Sequence, residues 1–300
     1  MCADRNSDTA TGRPILALGV MCLIWGYNWV VMKEGLRFCD PFIFAAIRVF
    51  PAAIILFVIL LWKRKDWRPR QVGWTILLGI LSTTIGYGLP LWALAGGTAG
   101  KTAILLYTMP FWTIILAWPI LGERMRGLEW LSVVFGFVGL ALIMAGNTAE
   151  ANLWSSIMAV ISGISWAGSA IVTRIMRRDP EFDVLSVTTW QMVYGVGPLV
   201  VIAVLVPAPP VQWTPVFIAA LLYNIFLVGV AALLLWFYIL EKLEAGIATM
   251  GTLVTPVLAL ISARIELGEI PSSLEALGII LILSGLGLLG TIAFVRNRRA

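Results

Sequence analysis

Fourteen tryptophans and six tyrosines are set in a chain of 300 residues that has no histidine at all. Seven of the tryptophans (Trp25, Trp29, Trp92, Trp112, Trp166, Trp190 and Trp236) fall inside long apolar runs. There an indole ring either packs on its neighbours or offers its π face to an ammonium and its N–H to a carboxylate. Residue types that do covalent chemistry are placed differently. Every Asp and Glu lies in a loop or at the end of an apolar run, and Cys2, Cys22 and Cys39 show no metal-ligand spacing. An enzyme would need a nucleophile with its base, paired acids or metal ligands at depth. The side chains present suit reversible recognition of a small amphipathic molecule, with no catalytic residue, metal or cofactor expected.

The elements that must position these rings are set by composition. Sixty per cent of the chain is hydrophobic, 12% is charged and the mean hydropathy is +0.94, too little polar surface for a water-soluble protein of this size. Apolar runs of about 20 residues recur, the length that crosses roughly 30 Å of hydrocarbon. They predict an all-α polytopic membrane protein with spans at 14–33, 41–62, 72–95, 99–120, 127–146, 152–173, 184–206, 214–239, 247–266 and 274–295. Residues 1–12 form a polar N-terminal tail, and the connections leave no room for an extramembrane domain. No cleavable signal is evident, so the first run is expected to stay as a helix. With both termini in the cytoplasm, 16 Lys and Arg fall inside and four (Lys33, Arg37, Lys101 and Arg264) outside, the bias that orients inner-membrane proteins. The net charge of +5 sits in short loops. The expected partners are therefore the bilayer and a small-molecule substrate, with no nucleic acid; the oligomeric state stays open.

The chain also repeats itself. Laid over 246–288, residues 100–142 match Gly100, Pro110, Gly122, Glu123, Gly139 and Leu142 to Gly246, Pro256, Gly268, Glu269, Gly285 and Leu288. Trp25 falls over Trp166, Asp40 and Asp183 each open a second span, and Trp92 aligns with Tyr238. Two five-helix halves result, residues 13–146 and 147–300. Five is odd, so the second half enters the membrane inverted, the arrangement from which many carriers build alternating access. Pro110 and Pro256 lie near mid-span, where the missing N–H and the ring's clash bend a helix and free the carbonyls of Leu106 and Thr252. They are expected hinges, with a static packing kink as the alternative. Glu123 and Glu269 sit at the membrane boundary and read as helix-end charges, set near the N-terminus of the following helix or paired with Arg124, Arg126 or Arg264.

Ten spans, inverted halves, a Pro…Gly-Glu in the fourth span of each half and the aligned Trp25 and Trp166 resemble the drug/metabolite transporter superfamily in its EamA-type branch, over about Ile15 to Val295. Within it the Trp-rich first half is similar to the YddG-type exporters of aromatic and other amino acids. That resemblance implies a carrier exporting such metabolites from the cytoplasm; the alternative is a multidrug or other metabolite efflux carrier of the same superfamily, proton-coupled or not. No acid or histidine stands at mid-depth to relay protons, so facilitated export is the simpler expectation. The candidate substrate residues are Trp25 and Trp166 with Tyr27, Asn28 and Ser169 beside them, then Tyr87, Trp92, Tyr107, Tyr223, Asn224 and Tyr238. Arg48, well inside the second span and aligned with Gln191, either holds a substrate carboxylate, pairs with helix-end carbonyls or snorkels to a boundary.

Overall fold

A computed structural model describes residues 5–64, 66–125, 127–146, 150–243 and 251–297. All regular structure among them is helical: α1 (Arg5–Gly35), α2 (Pro41–Trp62), α3 (Val72–Gly96), α4 (Ala99–Leu121), α5 (Leu128–Ala145), α6 (Glu150–Met176), α7 (Val184–Leu205), α8 (Pro215–Ile239, running on to Lys242), α9 (Val254–Leu267) and α10 (Ser273–Asn297). Nine of them are long and apolar enough to cross a membrane; α9 has 14 residues, and the first four residues of its predicted span, 247–250, lie outside the described residues along with Gly246. Helix α1 begins at Arg5, not at residue 13. The helix of the first span runs on through Pro14 and Gly12 into the predicted tail; residues 1–4 are outside the described part.

The helix ends follow local chemistry. Asp40 accepts from the N–H groups of Phe42 (2.9 Å) and Ile43 (3.4 Å) to start α2, with Pro41 in the first position. Asp183 does the same for α7 through Ser186 N–H at 2.9 Å. The repeated Gly-Glu turns out to be a matched pair of C-terminal caps. Gly122 and Gly268 adopt φ of 75° and 66°, and the N–H groups of Glu123 and Glu269 reach back to the carbonyls of Ala117 and Ala263, each at 3.3 Å. Such a turn needs the left-handed conformation that glycine adopts without strain.

Apolar side chains cover the outside as well as the inside: Leu16, Val204, Leu205 and Ile265 are all largely exposed, as a helix bundle facing lipid requires. Inside, α2 packs on α7 and α5 on α10, while α1 packs on α8 and α9, α6 on α3 and α4, and α4 on α9. The α5–α10 contact is made backbone to backbone. A Cβ on Gly139 would stand 2.5 Å from the carbonyl oxygen of Gly278, and one on Gly285 2.8 Å from that of Ser132, the close approach that small residues permit in membranes.

Two irregularities interrupt the spans. The middle of α3 (Gly79–Ile85) and of α8 (Tyr223–Ala231) is wound as π-helix, which widens a helix and recurs at functional sites. Helix α4 breaks between Leu106 and Met109.

The connections gather on two faces. On one, the turn face, Gln212 N–H bonds Phe38 O and the α9–α10 turn meets the start of α4. On the other, the basic face, the α2–α3, α4–α5 and α6–α7 connections meet through Arg70–Glu181 and Arg174–Glu123.

Candidate functional site

The widened segments of α3 and α8 place a polar and aromatic group inside the bundle. Arg48 on α2, only 5% exposed, donates through Nη1 to Asn224 Oδ1 at 2.7 Å and lies 3.0 Å from the sulfur of Met32. Its guanidinium carbon stands 5.2 Å from the centre of the Tyr87 ring. Asn224 is fixed in turn, donating to Ala220 O at 3.0 Å. Tyr87 meets Trp166 edge to face with centroids 5.7 Å apart. A Cβ at Gly86 would come within 2.8 Å of the Trp166 ring nitrogen, so glycine there lets α6 lay its indole on α3.

Several buried polar atoms of the bundle have no partner, among them Asn28 Oδ1, Arg48 Nε, Thr83 Oγ1 and Ser162 Oγ. Buried polar groups are normally satisfied, so these four on helices α1, α2, α3 and α6 leave hydrogen-bonding capacity unused inside the bundle.

The aromatic candidates divide into three sets. Tyr87 and Trp166 join the Arg48–Asn224 group. Trp25 packs at 6.3 Å on Trp236 of α8, in an apolar cluster with Tyr238. Tyr27 and Tyr223 meet at 6.0 Å and line a cavity of about 310 Å³ with Ile24, Leu258 and Ser262; Tyr27 donates to Glu266 at 2.9 Å and Tyr223 to Ile24 O at 2.8 Å. Asn28 is buried on α1. Ser169 is buried too, but its hydroxyl returns to the carbonyl of Trp166 at 2.7 Å. Tyr107 lies at the α4 break, against both large apolar clusters. Trp92 stands apart from these sets, 49% exposed and packed on Phe42. The aligned tryptophans also differ in what they have left to offer. The N–H of Trp166 already donates to Gly86 O at 3.1 Å, leaving the ring face and not the N–H for a ligand.

The prolines do more than bend their helices. Pro110 is the second residue after the break in α4 and Pro256 the third residue of α9, each in the first turn of a new helical piece, where a missing N–H costs nothing. The Leu106 carbonyl, released by this break, faces α6: a Cβ on Gly163 would be 3.0 Å from it. Thr255 O meets α1 in the same manner, 3.1 Å from a Cβ on Gly26.

The boundary glutamates take partners other than those expected. The Glu269 carboxylate spans to α4, accepting from Ala99 N–H at 2.7 Å and Gly100 N–H at 2.9 Å. It therefore caps the N-terminus of α4 rather than of the helix that follows it. Lys33 closes the other side of the same turn by donating to Leu94 O (2.7 Å) and Gly97 O (2.6 Å). Lys101 and Glu275 pair at 3.0 Å, with side chains only 8% and 16% exposed. On the basic face Glu123 pairs with Arg174 at 2.8 Å, both more than half exposed. There the Glu181 N–H and the Gln71 side chain hold the Asp179 carboxyl below its ordinary range.

Thr83, Ser162 and Met32 were not among the residues singled out by sequence, and Trp236 was named only among the tryptophans within spans. Hydroxyls inside apolar runs are common, and nothing in the linear chain separates the satisfied ones from the unsatisfied. The third-span alignment did point to α3 and α8, but at Trp92 and Tyr238; the π-wound segments that put Tyr87 and Asn224 in place leave no periodicity to read.

Among known proteins, the model of the EamA-like transporter family matches this chain twice, over residues 13–145 and 153–291. The uncharacterized transporter YoaV of Bacillus subtilis is 28% identical over 95% of this chain and 98% of its own length. A probable amino-acid metabolite efflux pump of Salmonella typhimurium is 28% identical over 90% of this chain and 92% of its own. A crystal structure at 16% identity superposes with a TM-score of 0.65 over 96% of this chain and 99% of that one, a likeness of fold. Two matches, one to each half of a bundle with a polar group at its centre, leave a single assignment: the chain belongs to the EamA-like transporter family.

Proposed function

We propose that this transporter exports small amphipathic metabolites, amino acids including aromatic ones, from the cytoplasm by alternating access. The observation that carries the reading is the buried group of Arg48, Tyr87, Trp166 and Asn224, in which Arg48 Nε has no partner: π faces for an apolar side chain and an unused donor for a charged end. The likeness to a probable amino-acid metabolite efflux pump points to the same substrate class.

Inverted halves are supported by contacts that exchange under the repeat. Gly139 faces Gly278 while their counterparts Gly285 and Ser132 face one another, and α2 pairs with its counterpart α7. Both fourth-span prolines follow a helix break, so each half carries a joint about which α4 and α9 swing. In the conformation described, the Glu269 cap and the Lys101–Glu275 pair tie the halves on the turn face, which is expected to be the outer one.

Liposomes holding purified protein and loaded with a mixture of amino acids test the reading. Aromatic and large apolar amino acids are expected to leave ahead of acidic ones, and Trp166→Ala to slow them several-fold while protein in the membrane stays constant. Release of none of them, with drugs or other metabolites moving instead, would replace this reading by a different efflux function.

A further inference from the structure

Arg48 is charged, buried and lacks a counter-ion. Among the described residues no Asp or Glu side chain lies within ion-pair distance of it, and its partners are an amide oxygen, a thioether and a π face, all neutral. Its Nε has no partner at all. It stands about 10 Å in from the start of α2, at roughly 1.5 Å per residue, and being buried it reaches neither boundary, so it does not snorkel. The helix-end carbonyls that might have held it are absent from its partners as well. A desolvated guanidinium without an anion is costly to keep. Packing alone gives no reason for it: a methionine or leucine would fill the same space beside Met32 and Tyr87 without that cost.

We propose that Arg48 is the carboxylate anchor of the transport site, its missing counter-ion being the carboxylate of the cargo. The geometry of the donor set fits. A guanidinium presents a planar fork matched to two carboxylate oxygens, and here one edge carries the unpartnered Nε. Asn224 Oδ1 accepts from Nη1 as a neutral stand-in, and it sits in the π-wound part of α8, beside Tyr223. The other end of a zwitterion also finds a place. Asn28 and Met32 are four residues apart on α1 and so share one face, and Met32 touches Arg48. Asn28 Oδ1, a buried acceptor with no donor, therefore lies one helical turn from the guanidinium, suited to an ammonium. Tyr87 and Trp166 supply ring faces for the substrate side chain. The anchor rests on the amino-acid reading above and sharpens it: cargo must carry a carboxylate, and its amide or ester is a poor substitute.

Competition in reconstituted liposomes tests this. Uptake of labelled phenylalanine is inhibited with unlabelled phenylalanine or with phenylalaninamide, which keeps the ring and amine and lacks the carboxylate. Wild type is expected to prefer the acid by about tenfold or more, the scale of a charge-assisted hydrogen bond in a buried site. Arg48→Gln should bring the two inhibitors to near equality, and Arg48→Lys should keep part of the preference. Because Arg48→Gln risks misfolding, Asn224→Asp provides a second arm that puts the missing anion in the protein. It should raise the thermal stability of the empty carrier and abolish the preference for the acid. Equal inhibition by both compounds in wild type, or a preference left intact in Arg48→Gln or Asn224→Asp, would overturn the anchor. A wild type that moves no amino acid at all would instead overturn the proposed function on which it rests.

Discussion

The two ends of the bundle carry repeat-related charges in unlike surroundings. Glu269 and Glu123 occupy the same place after a left-handed glycine, and Lys33 aligns with Arg174. On the turn face Glu269 is seated on two amides at the start of α4, Lys33 on two carbonyls at the end of α3, and Lys101–Glu275 is nearly sealed from solvent. On the basic face Glu123 and Arg174 pair with each other at 57% and 51% exposure, and Arg70 and Glu181 are similarly open. Identical sequence signals thus yield a firm tie at one end and a solvated pair at the other. The difference is what a carrier caught on one side of its cycle would show, since buried pairs lose far more on disruption than exposed ones.

Substitutions at the two ends measure that contrast. Glu275→Gln breaks the nearly buried pair with Lys101 and should destabilise the protein most, by about 3 kcal/mol, read as a lowered midpoint in thermal unfolding in detergent. Glu269→Ala removes a two-amide cap and should cost about 1–2 kcal/mol, whereas Glu123→Ala should stay within about 1 kcal/mol. Equal losses at Glu269 and Glu123 would mean that the two ends are tied alike. The smallest effect belongs to Asp179 on the basic face. Its folded-state carboxyl is held below the ordinary value, by the Glu181 N–H first and Gln71 second. Its contribution is therefore full at neutral pH and is lost only as pH falls through and below the ordinary carboxylate value of about 3.9. Asp179→Asn should lower stability slightly at pH 7 and flatten its fall below about pH 4, where variant and wild type converge; a loss as large in strong acid as at pH 7 would contradict that assignment.

Much of the architecture was legible because a bilayer imposes simple rules. Nine predicted spans coincide with the nine candidate membrane spans to within a few residues, since every backbone group in hydrocarbon must bond within its own helix. The caps at Asp40 and Asp183 and the Gly-Glu closures were readable from residue type alone. What escaped was geometry set by tertiary contact. Pro110 was expected to bend a continuous helix; instead α4 breaks before it, and the released Leu106 carbonyl lies close to Gly163 on α6. Glu269 was expected to act locally and instead caps a helix nearly 170 residues earlier in the chain. At the site, Trp166, Tyr87 and Asn224 converge, while Trp92 faces away on Phe42. Aromatic type alone does not tell a ring on the lipid side of a helix from one on the inner side, and the π-wound turns shift that side part-way along α3 and α8. Arg48 was conspicuous by its depth, but its lack of an anion is visible only once its neighbours are in place.

Alternating exposure of one central site, without a proton relay, is tested most directly by counterflow. Vesicles reconstituted with the protein are preloaded with an unlabelled amino acid and given a trace of the labelled one outside, with no pH gradient. The labelled compound should accumulate transiently above its external concentration, as a carrier exchanging one site between two faces requires. Simple equilibration without overshoot, or an overshoot that vanishes unless a pH gradient is imposed, would contradict it.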